Sequence, residues 1–297
     1  NKTLMQSETQ FRTGSITKVF VSVLILQLVE ENKLTLENKV TDFIPELKGK
    51  IPEIENITIR HLLAHTSGII DPPNQSLKYQ AAIVNNPIVF SELTPMELLE
   101  KYVYDKKLLF EIGKGYSYSN PGYWILGLII EKIENKPISE ILKQKITEPL
   151  GLVNTYIEKI DNLNVTNGYS KRSNNKYKDV TLWDIAEGDG KTAGGIISTV
   201  YDLYLFYKAL FSFELISENL VYEMKKIQFS ECNSNDCEYG LGLELWRLEK
   251  YIAYGHNGSL IGIEANALYI EEKNTIIVIF KNLGGGSDKT FIDKILN

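Results

Sequence analysis

From Val19 to Val29 the chain reads Val-Phe-Val-Ser-Val-Leu-Ile-Leu-Gln-Leu-Val, apolar at nearly every position. A helix that is hydrophobic on all sides has no face to offer water and belongs in the middle of a fold. The run is too short to cross a bilayer, and Gln27 interrupts it. The segment therefore predicts a central buried helix around which the remaining chain is wrapped.

What stands at the head of that helix is chemical. Phe11-Arg-Thr-Gly-Ser-Ile-Thr-Lys18 sets Ser15 and Lys18 three residues apart. On a helix that spacing puts both side chains on one face, about 5–6 Å apart at Cβ. A serine hydroxyl is a poor nucleophile at neutral pH unless a base is held against it. Burial discourages protonation of a lysine, and the free N–H groups of a helix start favour developing negative charge. The same four residues also fit a surface helix with a serine cap and a solvated lysine. The motif gains force only from partners elsewhere in the chain.

Length and charge narrow the classes. A chain of 297 residues can form one large unit or two lobes sharing a cleft. Its formal charge of −6, without a basic run, argues against nucleic acid or an anionic membrane as the main partner. Cys232 and Cys237 bracket the turn-forming Asn-Ser-Asn-Asp. Two readings stand for them: a disulfide, which implies an oxidising compartment, or two free thiols. Neither His61 nor His65 forms a metal-ligand cluster with them, and no metal or cofactor is expected.

The punctuation up to about residue 225 is helical. Thr94-Pro-Met-Glu97 reads as a capping box with proline at the first helical position. Pro121 to Glu134 reads as a second buried helix. Pro137 opens another, expected to stop at Pro149 and Gly151, and Thr199-Val-Tyr-Asp202 caps one more. After Cys237 the period changes. Tyr239 to Trp246, Ile263 to Ile270 and Thr275 to Phe280 read as an antiparallel meander, and Ser287 to Leu296 as a last short helix.

Two further motifs join Ser15 and Lys18: Tyr118-Ser-Asn120, and His256-Asn-Gly-Ser259 after the strand-like Tyr251-Ile-Ala-Tyr254. In this order and at these separations, S-x-x-K, Y-x-N and H-x-G together resemble the penicillin-recognising serine hydrolases, closest to the class C β-lactamase branch with its D-alanyl-D-alanine carboxypeptidase, D-aminopeptidase and esterase members. Arg60-His-Leu-Leu-Ala-His-Thr-Ser-Gly68, Gly194-Gly195 with Ser198-Thr199 and Asp202, and Tyr239-Gly-Leu-Gly242 resemble further segments of that branch. The resemblance extends from about Phe11 to Leu283.

The resemblance implies an α+β fold of the β-lactamase/transpeptidase type. A mainly helical lobe, about residues 12–225, would carry S-x-x-K and Y-x-N. An antiparallel sheet with the final helix, about 226–297, would carry H-x-G, and the whole of 1–297 would act as one catalytic unit with its site in the cleft. It also implies roles. Ser15 would be the nucleophile, Lys18 and Tyr118 would share the proton traffic, and either could be the base in acylation. Asn120, His256, Gly258 and Ser259 would position the substrate, with the backbone N–H groups of Ser15 and Ser259 as the oxyanion hole. His61 and His65 would be structural.

Two departures shape the expected function. His256 stands where β-lactamases keep a lysine, so a permanent cation for a substrate carboxylate is weakened and made pH-dependent, unless another cation, such as Arg247 or Lys281, replaces it. Only 14 residues precede Ser15, where relatives carry a helix and two sheet strands; those strands are expected to be missing from this chain, and the start at Asn1 fits a trimmed product. The leading expectation is a hydrolase acting through an acyl-enzyme on D-amino-acid peptides, amides or esters, resembling a D-alanyl-D-alanine carboxypeptidase or peptidase. A β-lactamase or small-ester esterase is the alternative within the family, and a non-turnover penicillin-binding sensor the alternative outside it. The partner would be a small molecule or peptide, met outside the cytoplasm.

Overall fold

Residues 4–157, 164–188, 191–231, 238–285 and 289–296 are described by the structure, a computed structural model. Helix α1 (Thr17–Glu30) is the central element that the apolar run demands, and every residue from Thr17 to Leu26 is buried. It packs against the helix Asn120–Glu134. Phe20 stacks on Phe206 of the helix Val200–Phe211, with ring centroids 3.6 Å apart. A fully buried side chain of this kind contributes about 1.5–3 kcal/mol, so α1 fixes the middle of the molecule.

The helix starts follow their side chains. Thr94 and Glu97 exchange the two hydrogen bonds of a capping box ahead of Pro95–Tyr102. Thr199 Oγ1 accepts from the Asp202 N–H. Of the expected stop at Pro149 and Gly151, Gly151 is where the helical run ends, and the chain stays helical through Pro149. Lys143–Thr147 widen into a π turn, which accommodates a proline that has no N–H to donate. The turn Glu148–Leu150 follows, and Gly151, at φ +67, ends it.

Short helices and turns surround the sheets, and the strands among the described residues fall into three groups. β1 (Phe11–Arg12), β5 (Ile196–Ser198) and β2 (Tyr156–Ile157) form an antiparallel sheet in the order β1-β5-β2. β3 (Tyr169–Lys171) and β4 (Tyr177–Asp179) form a hairpin. Among the described residues, the region expected to be mainly helical therefore holds five strands, each too short to show a period of two.

β6 (Glu244–Arg247), β7 (Ile252–Ser259), β8 (Glu264–Ile270) and β9 (Thr275–Lys281) make the antiparallel meander, in sequence order. The run from Tyr239 becomes a strand only at Glu244, because Gly242 at φ +84 turns the backbone first. One face of the sheet is covered by the last helix, Lys289–Leu296, whose Ile292 packs with Leu268, Ile270 and Ile277. The helix Val200–Phe211 packs on β8 and β9, with Phe211 stacked on Tyr269. Both faces of β9 thus have cover, and most of its side chains remain half-buried. No helix among the described residues is long and apolar enough to cross a membrane. Cys232 and Cys237 lie outside the described residues.

Candidate active site

Ser15 sits in a 3-10 turn, Gly14–Ile16, that runs directly into α1. The turn is pinned from both sides. The Thr13 N–H and Oγ1 bond to the Ile196 carbonyl, and the Ile196 N–H donates to Thr17 Oγ1. The end of β7 lies against it so closely that only glycine fits. A Cβ on Gly258 would stand 1.9 Å from the Thr13 carbonyl oxygen, and one on Gly14, already at φ +54, 3.0 Å from the Ser259 nitrogen. These two glycines bring the backbone of Ser259 beside that of Ser15.

Lys18 lies one turn further on and is fully buried. Its Nζ is 3.0 Å from Ser15 Oγ, 2.8 Å from Asn120 Oδ1 and 2.7 Å from the Ala193 carbonyl oxygen. Burial drives its pKa down to about 7, against the pull of Asp71 and, less strongly, Glu244 and Glu187. The neutral amine fits this geometry. Its two hydrogens go to Asn120 and Ala193, which can only accept, and its lone pair is left for the Ser15 hydroxyl proton.

Asp71 was missed by sequence reasoning, and it fixes that arrangement. Its buried carboxylate accepts from the Asn120 backbone N–H and side-chain Nδ2, each at 3.0 Å, and from Asn74 Nδ2. With Nδ2 committed to Asp71, the Asn120 oxygen must face Lys18. The signal was present as Asp71, three residues after the His-Thr-Ser-Gly68 segment, but nothing in the sequence tied it to Asn120.

Tyr118 Oη donates to Ser15 Oγ at 2.8 Å. Burial raises its pKa well above the ordinary tyrosine value, so the phenol is neutral. His65 holds it there: its ring lies 4.3 Å from that of Tyr118, and its Nδ1 accepts from the Ser119 N–H. His61 instead closes the cap of its own helix, Ile59–Leu63, with Nδ1 accepting from the Thr58 N–H.

His256 is placed differently from the expectation that it meets the substrate. It is fully buried and is not among the residues that line the pocket. Its Nδ1 faces the Asn257 carbonyl, which can only accept, so Nδ1 carries the hydrogen and Nε2 accepts from Tyr239 Oη at 2.9 Å. Glu244 lies 3.4 Å from Nδ1. Desolvation, with Lys18 contributing, lowers the His256 pKa in spite of Glu244. The pH-dependent cation expected here is thus suppressed by burial. Arg247 does not replace it, because its guanidinium is bonded to Glu238; neither Arg247 nor Lys281, which stands on β9 in register with Glu264 of β8, is in the described pocket lining.

The pocket has a volume of about 190 Å³. Ser15, Tyr118 and Asn120 lie along it with Asn74, Tyr79, Trp124, Glu187, Asn257, Ser259 and Leu260. Its wall therefore comes from the helical part and from the end of β7. The described lining contains no lysine or arginine.

The Beta-lactamase family model matches residues 1–296. The chain belongs to the Beta-lactamase family. Among its relatives, Penicillin-binding protein 4* of Bacillus subtilis is 28% identical over 298 residues, covering 93% of this chain and 61% of that protein. This member of the Beta-lactamase family thus spans about three fifths of that relative's length. The structure of a D-stereospecific amidohydrolase from Streptomyces sp. superposes with a TM-score of 0.83 at 27% identity, over 96% of this chain and 86% of that one. A D-amino acid amidase from Ochrobactrum anthropi, in complex with D-phenylalanine, gives 0.83 at 26% identity, over 100% and 86%. The fold is that of the β-lactamase/transpeptidase type.

Proposed function

We propose that this chain is a serine hydrolase that cleaves D-amino-acid amides, peptides or esters through an acyl-enzyme on Ser15. The observation that carries the reading is the placement of one hydroxyl between a buried amine at 3.0 Å and a neutral phenol at 2.8 Å.

Neutral Lys18 takes the Ser15 proton as Oγ attacks the substrate carbonyl. The oxyanion forms against the backbone N–H groups of Ser15 and Ser259, a kind of stabilisation worth about 3–4 kcal/mol per donor. Tyr118, neutral and bonded to the same oxygen, passes a proton to the leaving amine or alcohol and recovers one from Lys18. Water then enters along the leaving-group path, loses its proton by the reverse route and releases the acid.

The amidohydrolase and amidase named above support the D-amino-acid assignment. A carboxypeptidase or β-lactamase needs a cation for the substrate carboxylate, and the described pocket lining offers none. An amidase, aminopeptidase or esterase therefore suits the site better than the carboxypeptidase expected from the motifs. The penicillin-binding relative supports a place outside the cytoplasm, as the motifs do.

A fluorophosphonate probe, followed by intact-mass analysis and peptide mapping, tests the assignment. One adduct on the peptide containing Ser15, absent in Ser15→Ala, is expected; an adduct undiminished in that variant contradicts it. Repeated release of product from a D-amino-acid amide separates the enzyme from a sensor, which stops after one equivalent.

A further inference from the structure

Glu187 takes no part in the chemistry above, yet it stands in the same pocket as Ser15. It lies in the last turn of the helix Thr181–Gly188, and its side chain contributes to the wall alongside Asn74, Tyr79 and Trp124. The Ile261 backbone N–H near its carboxylate favours the charged form. Its Oε2 is screened from solvent and has no hydrogen-bond partner. A buried carboxylate oxygen left unpaired carries a desolvation cost, and a rotation of the side chain toward the pocket would let a ligand relieve it.

We propose that Glu187 is a specificity-determining residue that binds the free α-amino group of a small D-aminoacyl substrate. The inference rests on the serine-hydrolase reading and narrows it to substrates with an unblocked amine.

Three features favour an ammonium over any other occupant. It supplies both donors and positive charge to the unpaired oxygen. The described lining holds no lysine or arginine that would repel it. The aromatic walls and the volume of about 190 Å³ suit a compact acyl group. Burial and the charges of Asp184 and Asp71 push the Glu187 pKa up to about 7, with Lys191 opposing them. An ammonium beside the carboxylate would hold it ionised.

Competition for Ser15 tests this without requiring turnover. Labelling by the fluorophosphonate is followed by intact mass in the presence of D-alaninamide or N-acetyl-D-alaninamide, at pH 8. The free amine should halve the labelling rate at a concentration about 10- to 100-fold lower than the acetylated compound, the range of a hydrogen bond to a charged group. Glu187→Gln keeps the size of the side chain and removes its charge, and should bring the two concentrations together. Continued labelling at Ser15 shows that the variant is folded. Equal protection in the parent protein, no protection by either compound, or a preference that survives in Glu187→Gln overturns the proposal. A label that maps away from Ser15 overturns the underlying hydrolase reading instead.

Discussion

The Ser15 corner and the Glu187 wall face the same pocket and solve opposite problems. At Ser15 the groups that touch the nucleophile are accounted for: Lys18 has three partners, Asn120 is divided between Lys18 and Asp71, and Tyr118 donates to Ser15, while behind it His65 Nε2 is left without a partner. Satisfied networks of this kind hold a single geometry. At Glu187 one carboxylate oxygen has no partner. Catalytic groups are held ready in advance, while a recognition group can wait for the ligand to complete it. The contrast separates what the enzyme brings from what the substrate must supply.

The largest effects should come from dismantling the satisfied corner. Lys18→Met and Tyr118→Phe should each slow Ser15 acylation by about 10²–10⁴-fold, the usual range for a general acid or base. Because both act on one hydroxyl, the double variant should be little slower than the poorer single one. Losses that multiply in full would show two independent contributions.

Asp71 should matter nearly as much, and for stability as well. Asp71→Ala leaves the Asn120 N–H and Nδ2 without their acceptor. Each buried donor stranded in this way costs about 1–3 kcal/mol, so thermal unfolding should show a clear drop in Tm. Asp71→Asn should be milder in stability and informative in acylation. It removes the anion that most strongly holds the Lys18 pKa up, so the pH at which Lys18 loses its proton should fall. An unchanged midpoint would place Asp71 outside the electrostatics of Lys18.

The smallest effect belongs to His256. With its pKa lowered by burial, the neutral form prevails above the ordinary histidine range. The ratio of acylation rates for a carboxylate-bearing β-lactam and a neutral ester should therefore stay constant from pH 6.5 to 8, about the range above the ordinary histidine pKa. A ratio that rises on the acid side within this window would restore His256 to the role expected from the sequence.

How much could be read beforehand follows from how local each signal is. The buried α1, the capping box at Thr94, the cap at Thr199, and the strand period of β8 and β9 all lie in contiguous runs. Ser15 and Lys18 were legible for the same reason, since one helical turn joins them. Tyr118 and Asn120 needed the resemblance, because Tyr118 stands 103 positions along the chain from the serine it faces and Asn120 lies beyond it. Asp71 and Glu187 stayed hidden. A lone acidic residue has the same appearance on a solvated surface as in a pocket, and only the fold brings these two beside Lys18. His256 shows the converse error: its motif position suggested a substrate contact, while the pleat of β7 turns its side chain into the fold and leaves its neighbours Asn257 and Ser259 in the pocket wall.

The central claim is that Ser15 is activated by a neutral lysine, and the pH dependence of its labelling by an uncharged fluorophosphonate examines that most directly. Burial lowers the Lys18 pKa to about 7, and the base form prevails above it. The second-order labelling rate should therefore climb as pH rises through about 7 and then level off. In Glu187→Gln the midpoint should move slightly to lower pH, because one anion that favours charged Lys18 is gone. A rate that keeps rising to pH 10, as for a lysine of ordinary pKa, or one indifferent to pH from 5 to 9, about two units either side of the lowered value, would contradict the account.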